Sequence, residues 1–286
     1  MFRNSYYKSK YSRVGRNIEM SNIDMSILNQ SKDSLSVFSN KPFWIWDYSE
    51  HETKYLESIG QCCFNHILSL PTKGAKQYPL FNFQQIIFDT IEQNKNVWIK
   101  KARGIGFTTL MLRYISWKIL SSTELDYKSI YIISAGNGNS SEDVTSKFKN
   151  LFEKKFPLIK LGSKFTDYWL RNTWIKILSN INFKDIDVHD TSYVIIDEAD
   201  YLDGSGQTIL EQEFLHPDNK SNCKVIMAST PNRTGGLFEK IENERNSSYV
   251  KLKLDYSCGL GTIYNESFIQ EKKLDPEFER EYNLKY

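Results

Sequence analysis

The sequence predicts an α/β fold with a central, mostly parallel sheet, flanking helices and a small C-terminal lid. Three stretches carry that expectation. Tyr193-Val194-Ile195-Ile196 runs straight into Asp197-Glu198-Ala199-Asp200, and a short continuous apolar run suits a strand buried on both faces, as in a parallel sheet. Asn96-Val97-Trp98-Ile99-Lys100 leads through a glycine-containing loop into an apolar-faced helix, the order in which backbone N–H groups and a helix N-terminus cradle phosphates. Cys223-Lys224-Val225-Ile226-Met227-Ala228 reads as another central strand, ending in Ser229-Thr230-Pro231-Asn232. Acids, glycines and hydroxyls thus stand at the carboxyl ends of strands, where open α/β sheets place their ligands.

Composition sets the outer limits. A chain of 286 residues is long enough for one large domain or two small ones. A hydrophobic content of 40% and a charged content of 25% describe an ordinary soluble globular protein. No apolar run approaches the roughly 18 residues of a membrane span and no signal-peptide core is visible, so neither a membrane partner nor secretion is expected. Cys62, Cys63, Cys223 and Cys258 show no C-x-x-C spacing, which indicates neither a zinc site nor a disulfide framework and fits a reducing compartment. With a net charge of +2, any nucleic-acid contact must rest on local patches.

Residues 1–40 are polar, and Arg3, Lys8, Lys10, Arg13 and Arg16 precede the first acid, Glu19. This reads as a flexible basic arm, or, since tyrosines interleave with the basic side chains, as an arm for a polyanion. A globular core is expected over 41–245 and a lid or linker over 246–286. Trp44, Ile45 and Trp46 form an apolar entry, and Glu50 to Leu70 reads as a helix stopped by Pro71. Phe83-Gln84 then leads into a helix through about Gln93. A glutamine one helix upstream of a phosphate loop can read the adenine edge, its amide offering both donor and acceptor; the alternative is a solvated surface glutamine.

The loop reads Lys101-Ala102-Arg103-Gly104-Ile105-Gly106-Phe107-Thr108-Thr109, and Leu110 to Leu120 continues as a helix. Thr108 or Thr109 can supply the hydroxyl that reaches Mg2+. The standard loop is G-x-x-x-x-G-K-[ST], and Phe107 stands where the lysine belongs. An aromatic ring cannot neutralise phosphate, so the charge must come from Lys100, Lys101 or Arg103 at the loop's entrance. A loop curled around a phosphate brings its beginning near its end, which makes Lys101 a replacement. The competing reading is a degenerate loop that has lost catalysis. Ser129 to Ser134 and Thr173 to Leu178 are further strands, Ser141 to Phe156 a helix, His189 part of a polar turn, and Tyr201 to Gln207 a loop. Asp197 is positioned to hold Mg2+, a hard cation that takes one or two carboxylates plus phosphate oxygens, while Glu198 would polarise the attacking water. Ser229, Thr230 and Asn232 could bond the metal's water shell or Glu198, or simply form a β-turn.

In this order the motifs resemble the ATPase (packaging motor) domain of the terminase large subunit of tailed double-stranded DNA viruses, from about Tyr78 to the C-terminus. Phe83-Gln84 is similar to the family's Gln-bearing aromatic segment. Gly106-Phe107-Thr108 resembles the end of its Walker A loop, some members of which carry the lysine at the loop's start and an aromatic at the usual place, as Lys101 and Phe107 suggest. Val194 to Glu198 looks like Walker B. Ser229-Thr230-Pro231-Asn232 is similar to the coupling motif, with Arg233 where Gly is usual, and Asp275 to Tyr282 looks like the closing helix. The resemblance implies a P-loop NTPase of the ASCE, RecA-like kind that hydrolyses ATP with Mg2+. Gln84 would read adenine, and Lys101 would bind phosphates on a loop bounded by Lys100, Gly104, Gly106, Thr108 and Thr109. Thr108 and Asp197 would hold Mg2+, and Glu198 would position the water. Thr230, with Ser229 and Asn232, would couple hydrolysis to movement, and Arg103 is a candidate arginine finger. Its implied partners are double-stranded DNA, further copies in a homo-oligomeric ring, a portal protein and the terminase small subunit, in the host cytoplasm. Full terminases continue into a nuclease domain; this chain stops at Tyr286, and no nuclease activity is expected.

Two other readings compete. Asp197-Glu198-Ala199-Asp200 also spells the DEAD-box helicase motif, but too few residues follow Thr230 for the second RecA-like domain such a helicase needs. A non-hydrolysing scaffold on a decayed phosphate loop finds support in Phe107 and opposition in Glu198, since a binding-only site has no use for a water-polarising carboxylate.

Overall fold

In the computed structural model the described residues are 81–121, 123–136, 140–152, 161–164, 167–179, 190–211 and 222–286. The expected basic arm, the Trp44 entry, the helix over 50–70 and His189 lie outside them. Helix α1 (Asn82–Gln93) precedes β1 (Asn96–Lys101), and α2 (Phe107–Ser121) precedes β2 (Ser129–Ser134). Then come α3 (Ser140–Asn150), β3 (Gly162–Lys164), β4 (Asp167–Leu170), β5 (Thr173–Ser179) and β6 (Thr191–Asp197). After a 3-10 turn (Ala199–Tyr201) follow α4 (Gly204–Ile209), β7 (Lys224–Ser229), α5 (Leu237–Asn243) and β8 (Val250–Leu254). A second 3-10 turn (Tyr256–Gly259), α6 (Glu266–Lys272) and α7 (Phe278–Glu281) complete the chain.

The eight strands form one sheet in the order β3-β4-β5-β2-β6-β7-β1-β8. From β5 to β8 all neighbours pair in parallel, whereas β3, β4 and β5 pair antiparallel and close one edge. The apolar runs of β6 and β7 lie in the middle, as continuous burial on both faces requires.

Side chains alternate across a strand, and this splits the core into two layers. Val97, Ile99, Ile132, Ile195 and Ala228 face α1, α2, α3 and the C-terminal residues Tyr264, Phe278 and Tyr282. Trp98, Ile133, Ile196 and Met227 face Leu237 and Phe238 of α5. There the Trp98 ring lies 4.5 Å from Phe238, and its indole N–H donates to the Phe238 carbonyl at 3.0 Å. No described helix is long and apolar enough to cross a membrane.

Local structure differs from expectation in two places. The helix expected from Leu110 begins at Phe107, because Gly106 makes the left-handed turn (φ 88°) immediately before it and so ends the loop early. The helix expected from Ser141 to Phe156 is present over Ser140–Asn150, and residues 153–156 lie outside the described residues. The loop expected over Tyr201 to Gln207 is a 3-10 turn followed by α4. Asp203 caps α4, its carboxylate accepting from the Gly206 N–H at 2.7 Å, and that bond offsets the poor helix propensity of two glycines.

Candidate active site

The end of β1 sorts two adjacent lysines to opposite faces of the sheet. Lys100 shares the face of Trp98 and donates to Glu242 of α5, 2.8 Å from its nearer oxygen, with its ammonium 4.3 Å from the Tyr286 ring centroid. Lys101 shares the face of α2, with its ammonium 2.8 Å from Glu198 Oε1 and 3.4 Å from Asp197 Oδ1. Burial works against the Lys101 charge, but the two carboxylates outweigh it and hold its pKa above the ordinary lysine value. Phe107, buried at the start of α2, keeps its ring in the core, 5.9 Å from that ammonium. Between them Gly104 and Gly106 adopt φ 77° and 88°, where a side chain is strained, and a Cβ on either would meet nothing within 4 Å. The loop's outer surface is open.

The acids are set by the end of β6. Thr108, half-buried in the first turn of α2, donates its hydroxyl hydrogen bond to Asp197 Oδ2. Thr109 follows it, also half-buried. Glu198 is left-handed (φ 57°, ψ 44°), a conformation that strains a non-glycine residue by about 1–3 kcal/mol and persists only where its surroundings hold it. Here they do. Glu198 Oε1 accepts from Lys101, and Oε2 accepts from the Thr230 hydroxyl at 3.2 Å and from the Thr230 N–H and Ser229 hydroxyl at 3.4 Å. Burial opposes the Glu198 charge, yet Lys101 and the Thr230 hydrogen bonds bring its pKa below the usual carboxylate value.

The turn after β7 is tied to the same acids. Asp200 donates its N–H to the Ser229 hydroxyl at 3.2 Å, and its Oδ2 accepts from the backbone N–H of Asn232 at 2.6 Å and of Arg233 at 3.2 Å. Burial raises the Asp200 pKa in spite of those two donors. Asn232 therefore enters this network through its backbone.

Besides Lys100, two further predicted residues stand apart from this convergence. Gln84 is buried, and its Oε1 accepts from the Phe81 N–H at 3.1 Å, closing the first turn of α1. Arg103, with 66% of its side chain exposed, pairs with Glu281 of α7, and its N–H donates to the Glu281 carbonyl at 2.9 Å. The neighbouring Arg280 reaches the Pro231 carbonyl at 3.1 Å and the Tyr201 hydroxyl at 3.2 Å. Helix α7 thus joins the loop's entrance to the turn after β7. Asp200, Arg280 and Glu281 were given no role from the sequence, although Asp200 stands beside the paired acids and the other two lie in the stretch read as the closing helix.

No protein-family model matches the sequence, and no curated protein matches it. Solved structures do. Parallel sheet, glycine loop and paired acids at the strand ends place the chain in the α/β class. Within that class its fold is that of phage large terminase ATPase domains. The large terminase ATPase domain of Thermus phage P74-26 superposes with a TM-score of 0.52 at 16% identity, over 73% of this chain and 94% of that one. The large terminase of bacteriophage HK97 gives 0.60 at 14% identity, over 80% of this chain and 54% of that one. A large terminase from a thermophilic bacteriophage, solved in complex with ADP, gives 0.55 at 8% identity, over 72% and 53%. The chain spans about half the length of the last two.

Proposed function

We propose that this chain is the ATP-hydrolysing motor domain of a viral terminase large subunit, coupling hydrolysis to translocation of double-stranded DNA into a procapsid. The observation that carries the reading is the meeting of Lys101, Thr108, Asp197, Glu198 and Thr230 from three strand ends and one helix start. It occurs in a fold shared with terminase ATPase domains.

The donors present fit Mg2+. Thr108 and Asp197 contribute one hydroxyl and one carboxylate side by side, the small protein share that Mg2+ takes when phosphates and water complete its octahedron. Among the described residues no group of three His, Cys, Asp or Glu side chains could hold a metal instead. Thr108 and Asp197 would hold the ion, which would supply positive charge against the transferring phosphate. Phosphate on the open loop would compete with the two carboxylates for the Lys101 ammonium, freeing Glu198 to orient the attacking water. Its lowered pKa keeps Glu198 ionised at neutral pH, as a water-orienting base requires. Thr230 and Ser229 hold the same carboxylate, so a shift of Glu198 is felt at the turn after β7 and, through Arg280, at α7. Arg103, largely exposed, is available as a finger within its own subunit or toward a neighbour. DNA contacts would be to phosphates and salt-sensitive, in a homo-oligomeric ring docked on a portal protein and fed by the terminase small subunit in the host cytoplasm.

The test is phosphate release from Mg·ATP, with and without double-stranded DNA, by the purified chain and by Glu198→Gln. Turnover that disappears in the variant while nucleotide still binds supports the motor. Binding without turnover in the parent favours the scaffold reading that Phe107 suggests. Neither binding nor turnover sinks the ATPase assignment.

A further inference from the structure

A cleft of about 380 Å³ opens beside the glycine loop, lined by Arg103, Gly104, Ile263, Tyr264, Asn265, Phe268 and Tyr282. Part of that lining is an aromatic wall. The Tyr264 and Phe268 rings lie nearly parallel, 5.9 Å apart with 4° between their planes, and Tyr282 meets both edge-on at 6.0 and 6.2 Å. The wall is anchored to the loop, because the Tyr264 hydroxyl donates to the Arg103 carbonyl at 2.6 Å. Asn265 caps α6, its Oδ1 accepting from the Phe268 N–H at 2.7 Å and the Ser267 hydroxyl at 2.8 Å. That leaves its amide nitrogen without a partner among the described residues.

We propose that this cleft takes the base of the bound nucleotide, stacked on the Tyr264–Phe268 wall, with the Asn265 amide as a donor at its rim. The inference rests on the ATP reading of the loop and goes further, to where the base lies. Gly104 belongs both to the glycine loop and to the lining of the cleft, so the cleft adjoins the loop on which phosphates would sit. Gln84, by contrast, is buried with its amide oxygen committed to α1. Aromatic stacking accepts any base, since every base has a π-face; the cleft therefore supplies affinity for nucleotides over bare phosphates and little choice between adenine and guanine.

The experiment measures the affinity of Mg·ATP, Mg·GTP and Mg·tripolyphosphate for the parent chain, Phe268→Ala and Phe268→Trp. Phe268 is only half-buried, which favours a folded variant. Phe268→Ala should weaken ATP and GTP alike, by roughly tenfold for one lost stacking partner, leave tripolyphosphate unchanged, and be rescued by Phe268→Trp. Unchanged ATP affinity in Phe268→Ala would overturn the base site and leave the ATPase reading standing. Equal loss of ATP and tripolyphosphate would also overturn it, as a disturbance of the loop itself. A parent chain that binds none of the three would remove the ATP reading and the base site together.

Discussion

Replacing Lys101 by methionine keeps the length and apolar stem of the side chain and deletes its charge. The ammonium lies 2.8 Å from Glu198 and 3.4 Å from Asp197, and both Lys101 and Asp197 are buried. Removing one partner of a buried ion pair costs about 3–5 kcal/mol. The Glu198 side chain is 30% exposed, so water recovers part of this, and we expect about 2–3 kcal/mol at pH 7. For a domain of this size that is a fall in Tm of roughly 5–10 °C. The pH dependence has a definite sign. A depressed carboxylate pKa contributes stability above the ordinary value and loses it as pH falls through the depressed one, and Glu198 is depressed chiefly by Lys101. Without Lys101 burial raises the Glu198 pKa unopposed by that partner, so the melting curves of parent and variant should converge as pH falls from 7 toward about 4. The assay is thermal melting across that range, paired with phosphate release, which should drop by roughly a hundredfold or more when a preorganised transition-state donor is lost. Lys100→Met is the control: its ammonium pairs with Glu242 on the other face of the sheet, so it should lose stability and keep turnover within a few-fold. A turnover lost in Lys100→Met and kept in Lys101→Met would refute the reasoning, as would a destabilisation by Lys101→Met that does not change with pH.

Further outcomes follow from the same contacts. Thr108→Val, which removes the hydroxyl bonded to Asp197, should raise the Mg2+ concentration needed for half-maximal turnover several-fold and leave the fold intact; an unchanged Mg2+ titration would count against Thr108 as a ligand. Asp200→Ala strips the carboxylate acceptor from the Asn232 and Arg233 N–H groups, which should cost about 1.5–3 kcal/mol, the net worth of hydrogen bonding to a charged group. Urea unfolding would read that loss, and a stability equal to the parent's would mean those N–H groups find water instead.

Much of the fold was legible because short, β-branched apolar runs bounded by turn residues suit the middle of a parallel sheet. The strands at Asn96, Ser129, Thr173, Tyr193 and Lys224 all lie where those runs predicted. The antiparallel edge was not legible: β3 and β4 are only three and four residues long, too short for a pattern of period two to show. Nor was α4, whose glycines argue for a loop until the Asp203 cap is seen.

The sequence by itself determined the chemistry on offer at the strand ends: paired acids, a glycine loop with Phe107 in the lysine's place, and hydroxyls before Pro231. Those signals are local, since each depends on residues within a few positions of one another. The tertiary structure decided which of them meet. Lys100 and Lys101 are equivalent in a list of basic residues, and only the pairing of β1 with β7 and β8, with helices on either side, sends one to Glu242 and the other to Glu198. Arg103 meets Glu281 across 178 positions of chain, and Tyr264 meets the same loop across 161. Contacts at such separations leave no local pattern, because they are fixed by how the sheet and its C-terminal cover pack together.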